Sequence, residues 1–107
     1  MSKDVTLAKN KDDIHKKGTA FFLGDDFMAK LGRMTYRKDY HVLSKVIEDF
    51  YGDITLNEDQ TELLLKEIKT FLKNESFDGQ MKIWLSVLVA LCEDALRYKL
   101  NLYFNAD

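Results

Sequence analysis

The chain has no proline and only five glycines, one cysteine and two histidines among 107 residues. Without proline, and with so little glycine, collagen-like repeats, disordered linkers and long irregular loops are all disfavoured. A lone cysteine, Cys92, excludes an internal disulfide framework. His15 and His41 are the only histidines, and no C-x-x-C, H-E-x-x-H or glycine-rich phosphate loop occurs, so no metal, cofactor or catalytic residue set is expected and the chain reads as a non-enzyme. No apolar run is long enough for a bilayer: Ile83 to Cys92 contains Ser86, is closed by Lys82 and Glu93, and reaches about half of the roughly 20 residues that a spanning helix needs. The opening residues MSKDVTLAKNKDD place charges where a signal peptide has its apolar segment, so a cytoplasmic location and no membrane contact are expected.

A hydrophobic content of 46% suits one globular domain over residues 1–107. Its organising element is GQMKIWLSVLVALCEDALRY, Gly79 to Tyr98. At helical spacing Met81, Trp84, Leu85, Leu88, Cys92, Ala95 and Leu96 share a face, with Ile83, Val87, Leu91 and Tyr98 round the side, which predicts a central helix covered on most of its surface and a buried Trp84. Upstream, Asn57 offers an N-cap with Gln60 three residues on, and Leu64, Leu65, Ile68, Phe71 and Leu72 form the stripe of a helix packed against it. Tyr40, Leu43, Val46, Ile47, Phe50 and Tyr51 predict another helix between Thr35 and Gly52. A shorter one is expected from Asp26 to Leu31, capped by Asp25 and stopped by Gly32.

Three short runs read as strands: Val5 to Leu7, Thr19 to Leu23 and the alternating Leu100 to Asn105. A single strand is unstable in water, so the last must pair with one of the first two. The fold expected is mainly α, with three long helices, one short helix and a small sheet from the N-terminal region and the C-terminal strand (α+β); the alternative is all-α with an extended tail.

Candidate chemistry is sparse. Cys92 with His41 could in principle make a nucleophile and base, but Cys92 lies within an apolar helix, where burial raises a thiol's pKa and keeps it inert. His41 is expected at the surface. Asp25 and Asp26 sit where a helix dipole favours acids. Tyr36, Tyr40, Phe50 and the pair Phe21 and Phe22 could stack on bases or a partner, but most fall on core stripes. The lysines Lys3, Lys9, Lys11, Lys16 and Lys17 are interrupted by Asp4, Asp12 and Asp13, which reads as a solvated segment and not as a nucleic-acid arm.

Charge is unevenly placed. Residues 1–38 carry a net +4 and residues 39–107 a net −6. Glu48, Asp49, Asp53, Glu58, Asp59 and Glu62 put six acids in fifteen residues with no Lys or Arg among them, around what reads as a turn between two helices. The plain reading is a solvated turn with acids at a helix N-terminus. The functional reading is a docking surface for a protein with a basic surface, with Tyr51 as its aromatic anchor.

The run V-I-E-D-F-Y-G-D-I (Val46 to Ile54), leading into a leucine-rich helix, and the ending V-A-L-C-E-D-A-L-R-Y-K-L-N-L-Y-F (Val89 to Phe104) resemble the small cytosolic immunity proteins that protect bacteria from their own polymorphic or contact-delivered toxins. The resemblance implies a non-enzymatic toxin inhibitor that binds a toxin domain, often a nuclease with a basic site, through an acidic surface. The alternatives are another small interaction or regulatory protein, phage-borne or self-assembling as a homo-oligomer, and, further off, a small enzyme.

Overall fold

A computed structural model describes residues 2–14, 18, 20–35, 40–48, 52–74 and 78–106, with the side chains of residues 34, 35, 47 and 48 left aside. Four strands and four helices follow in the order β1 (Lys3–Ala8), β2 (Phe21–Leu23), α1 (Asp25–Thr35), α2 (His41–Glu48), β3 (Ile54–Leu56), α3 (Glu58–Asn74), α4 (Gly79–Tyr98) and β4 (Asn101–Ala106). A short 3-10 turn at Lys11–Asp13 lies between β1 and β2. The fold is α+β and mainly helical, as the periodicities indicate.

The sheet runs β2-β1-β4-β3, antiparallel throughout. The first and last strands therefore form its centre, with Lys3 opposite Ala106 and Ala8 opposite Asn101. Period two gives the faces. Val5, Leu23, Ile54, Leu56, Leu102 and Phe104 lie on the helix side and join Phe27, Met28, Leu31, Leu43, Leu64, Ile68, Phe71, Leu85 and Leu88 in one core. Lys3 falls on the same face by that alternation and is wholly buried, so it is not the solvated lysine its charge suggests; its methylene stem packs as an apolar side chain does. On the opposite face Thr6 (2% exposed) and Tyr103 (3%) are also buried. Lys11, Asp12, Ile14 and Gly18, from between β1 and β2, stand beside Asp4, Thr6, Asp53 and Asn105 round an open groove of about 680 Å³. Gly18 has φ +74° there, a conformation that glycine adopts without steric cost.

Several boundaries differ from the sequence reading. The first helix begins at Asp25 itself, with Gly24 in the capping position, where its carbonyl accepts the Met28 N–H at 3.0 Å. It also runs through Gly32 to Thr35, because burial of Phe27, Met28 and Leu31 outweighs the roughly 1 kcal/mol that a mid-helix glycine costs. The helix expected between Thr35 and Gly52 is described from His41 to Glu48, and its stripe residues Phe50 and Tyr51, like Tyr36 before it, lie outside the described residues. The long α4 is less enclosed than its composition suggests. Met81, Leu85, Leu88, Cys92 and Ala95 are buried, but Ile83 is 60% and Tyr98 62% exposed and Trp84 is only partly covered, edge-on to Phe27 at 5.0 Å.

The clearest local agreement is at the start of α3. Asn57 N–H donates to Gln60 Oε1 at 3.1 Å and Gln60 N–H to Asn57 Oδ1 at 2.9 Å, the reciprocal capping box expected from the spacing. Beyond α4 the chain turns directly into β4 through Lys99, at φ 55°. Its N–H and that of Leu100 both donate to Ala95 O, the latter at 2.8 Å.

Candidate partner-binding surface

The stretch carrying the acids is not simply a turn between two helices. Ile54, Thr55 and Leu56 form β3 at the edge of the sheet, paired with Phe104, Tyr103 and Leu102. Ile54 and Leu56 are buried and Thr55 is exposed. The alternation I-T-L after Gly52 is the signal for this strand. Three residues are too few for it to stand out beside two strong helical patterns.

Four of the seven residues singled out in the sequence are described with their side chains: Asp53, Glu58, Asp59 and Glu62, all exposed. Asp49 and Tyr51 lie outside the described residues, and so does the side chain of Glu48, whose backbone ends α2. β3 and the capping box bring the four acids to the two ends of one strand. Asp53 precedes β3; Glu58 and Asp59 occupy the first turn of α3, where the helix dipole stabilises their charge, and Glu62 follows one turn on.

Asp53 has a second role that spacing did not reveal. Its Oδ1 accepts the N–H of Ala106 at 2.9 Å, which ties the end of β4 to the start of β3, and Asp53 also borders the groove on the outer sheet face. Asp4 and Asp12 line the same groove beside Asn105, with Lys11 the one basic residue in the described lining. The acidic surface thus extends from the N-terminus of α3 past β3 onto the sheet. Asp4 and Asp12 had been read only as interruptions in a lysine-rich segment; what joins them to Asp53 is the pairing of β1 with β4 across the whole chain length, which no local pattern carries.

Other candidates separate. Cys92 is buried and its thiol is pushed up to about 12, first by burial and then by the neighbouring Glu93 carboxylate, so at neutral pH it is a protonated core group. His41 is exposed at the first residue of α2. Phe21 packs against the core, whereas Phe22, on β2, is 51% exposed. Tyr40 is buried edge-on to Phe71 at 4.9 Å. Among the described residues no group of three or more His, Cys, Asp or Glu is placed to hold a metal ion, and no helix is long and apolar enough to cross a membrane.

No protein-family model matches the chain, and no curated protein or solved structure matches it either.

Proposed function

We propose that this is a non-enzymatic binding protein of the immunity type, which works in the cytoplasm by holding a cognate toxin domain through the acidic surface centred on β3. The observation that carries this reading is the exposure of Asp53, Glu58, Asp59 and Glu62 at the ends of one strand, in a stretch from Val46 to Leu65 that contains no Lys or Arg. Such a surface steers a basic protein by long-range attraction and rejects an acidic one. Glu48, Asp49 and Tyr51 would extend it, with Tyr51 as the anchor. The partner class is a nuclease-type domain whose own site is basic, and the surface's negative sign disfavours direct binding of nucleic acid.

The test is co-expression of the chain with a candidate partner, a basic nuclease-type toxin domain from the same genome. Protection of the cell that is lost in Asp59→Lys with Glu62→Lys, while the fold is kept, supports the reading. Undiminished protection by that variant contradicts it.

A second reading, association of the chain with itself or with another apolar partner, is favoured by one observation. Ile83 and Tyr98 are both more than half exposed on α4, and exposed large apolar side chains along a helix are a common mark of an interface. Sedimentation of the chain alone tests it: a monomer unaffected by Ile83→Glu with Tyr98→Glu rules out self-association through α4.

A further inference from the structure

We propose that the outer edge of β3 is a strand-pairing dock, and that the basic partner adds an extended Lys- or Arg-bearing segment to it. This rests on the acidic-surface reading and goes beyond it by assigning the backbone groups that make the contact.

The direction of each backbone group follows from two hydrogen bonds. Ala106 N–H donates to Asp53 Oδ1 at 2.9 Å, so on β4 the N–H of Ala106 points toward β3. Backbone groups alternate in direction along a strand, so Phe104 and Leu102 also turn theirs toward β3, where they face Ile54 and Leu56. Ile54 and Leu56 therefore direct their backbone groups inward at β4. Thr55, between them, directs its N–H and C=O outward, away from the sheet. The far side of the sheet agrees: Ala20 N–H donates to Val5 O at 2.8 Å, which assigns the odd residues of β1 to β2 and the even ones, Asp4 and Thr6, to Asn105 and Tyr103 of β4.

Among the described residues β3 has a strand on one side only, and Thr55 is exposed. Its position is also held firmly, because Ile54 and Leu56 on either side are buried in the core. A rigid, exposed donor and acceptor at a sheet edge is what an added strand needs.

Charge selects the occupant. Asp53 stands at one end of the edge and Glu58, Asp59 and Glu62 at the other, so a second copy docking β3 against β3 would set carboxylates against carboxylates. A cationic strand would meet them with Lys or Arg while its backbone paired with Thr55. The other edge supplies a control. By the same alternation Phe22 of β2 turns its backbone groups outward, but the exposed side chain there is aromatic.

The experiment uses the full chain, labelled for NMR, with a short capped peptide of alternating lysine and threonine as the probe and its glutamate counterpart as the comparison. At nine-tenths saturation the lysine peptide is expected to slow hydrogen exchange at the Thr55 amide about tenfold, since exchange then proceeds from the free tenth, and to leave the Phe22 amide unchanged. Thr55→Pro removes the outward N–H at a position where an edge strand tolerates proline; it is expected to weaken peptide binding about tenfold, whereas Phe22→Pro is not. If the lysine peptide binds and loses affinity in Asp59→Lys with Glu62→Lys, yet Thr55 exchanges as before, the strand dock is overturned and the acidic surface stands. If the lysine and glutamate peptides bind alike, or neither binds, both are overturned.

Discussion

Glu67, in the middle of α3, receives the Leu43 N–H on Oε1 at 3.0 Å, while its Oε2 takes the Val42 N–H at 3.1 Å. One carboxylate thus caps the start of α2 from a neighbouring helix, satisfying two of the N–H groups that every helix leaves open at its N-terminus. Glu67→Ala is expected to destabilise the protein by about 1–2 kcal/mol, the usual range for losing an N-cap. Glu67→Gln, which keeps one acceptor oxygen, should cost less. Urea denaturation of the two variants checks the order, and equal losses would show that charge alone matters.

The turn from α4 into β4 places Lys99 in the left-handed region, which costs a residue with a Cβ about 1–2 kcal/mol relative to glycine. Lys99→Gly relieves this but leaves the unfolded chain freer, a loss of roughly 0.4–1 kcal/mol. A net gain of about 0.5–1 kcal/mol is expected, read as a raised thermal midpoint. The exposed Lys99 side chain forfeits little when removed.

Cys92 gives the protein a pH dependence at the alkaline end. Its thiol is raised from 9.0 to about 12 in the folded state, so the unfolded chain releases this proton first. The stabilising contribution is complete below pH 9.0 and is lost as the pH rises toward about 12, at close to 1.4 kcal/mol per pH unit across that window. Cys92→Ala should remove this component of the alkaline decline at a cost of about 1 kcal/mol at neutral pH. Thiol reagents should label the native protein slowly and the urea-unfolded protein fast.

Trp84 is partly covered, so the 3–5 kcal/mol typical of emptying a fully buried tryptophan site is too much to expect of it. Trp84→Ala should cost about 2 kcal/mol, through lost contact with Phe27 and partial burial. Leu85→Ala, at a residue with no exposure, should cost at least as much despite the smaller side chain. Tryptophan emission should lie between the buried and water-exposed limits.

Much of this fold is readable from local pattern because local chemistry enforces it. The capping box at Asn57 and Gln60 and the apolar stripe of α3 each depend on residues within a few turns of one another. The exposure of Ile83 and Tyr98 was not readable: an apolar residue on a helix reports what could be buried, not which side its neighbours occupy. β3 was hidden for a related reason. Its three residues gain their stability from Leu102, Tyr103 and Phe104, almost fifty positions away, and only that pairing converts a solvated turn into a strand edge. The acids at its ends were legible as a cluster, whereas the tie from Asp53 to Ala106 was not. A reversal at Asp53 would therefore damage the sheet as well as the charge; Asp53→Asn, which keeps the acceptor oxygen, separates the two.

The central claim is that the acids flanking β3 steer a basic protein. The most direct measurement is the association rate of the proposed partner, a basic nuclease-type toxin domain, followed by stopped flow as salt is raised, for the native protein and for Asp59→Lys with Glu62→Lys. Exposed charges act over a Debye length of roughly 8 Å at physiological ionic strength, so the native rate should be high at low salt and fall steeply as salt is added, while the reversed variant starts low and changes little. Equal rates with the same salt dependence in both proteins would contradict the claim and return these carboxylates to the role of a solvated helix start.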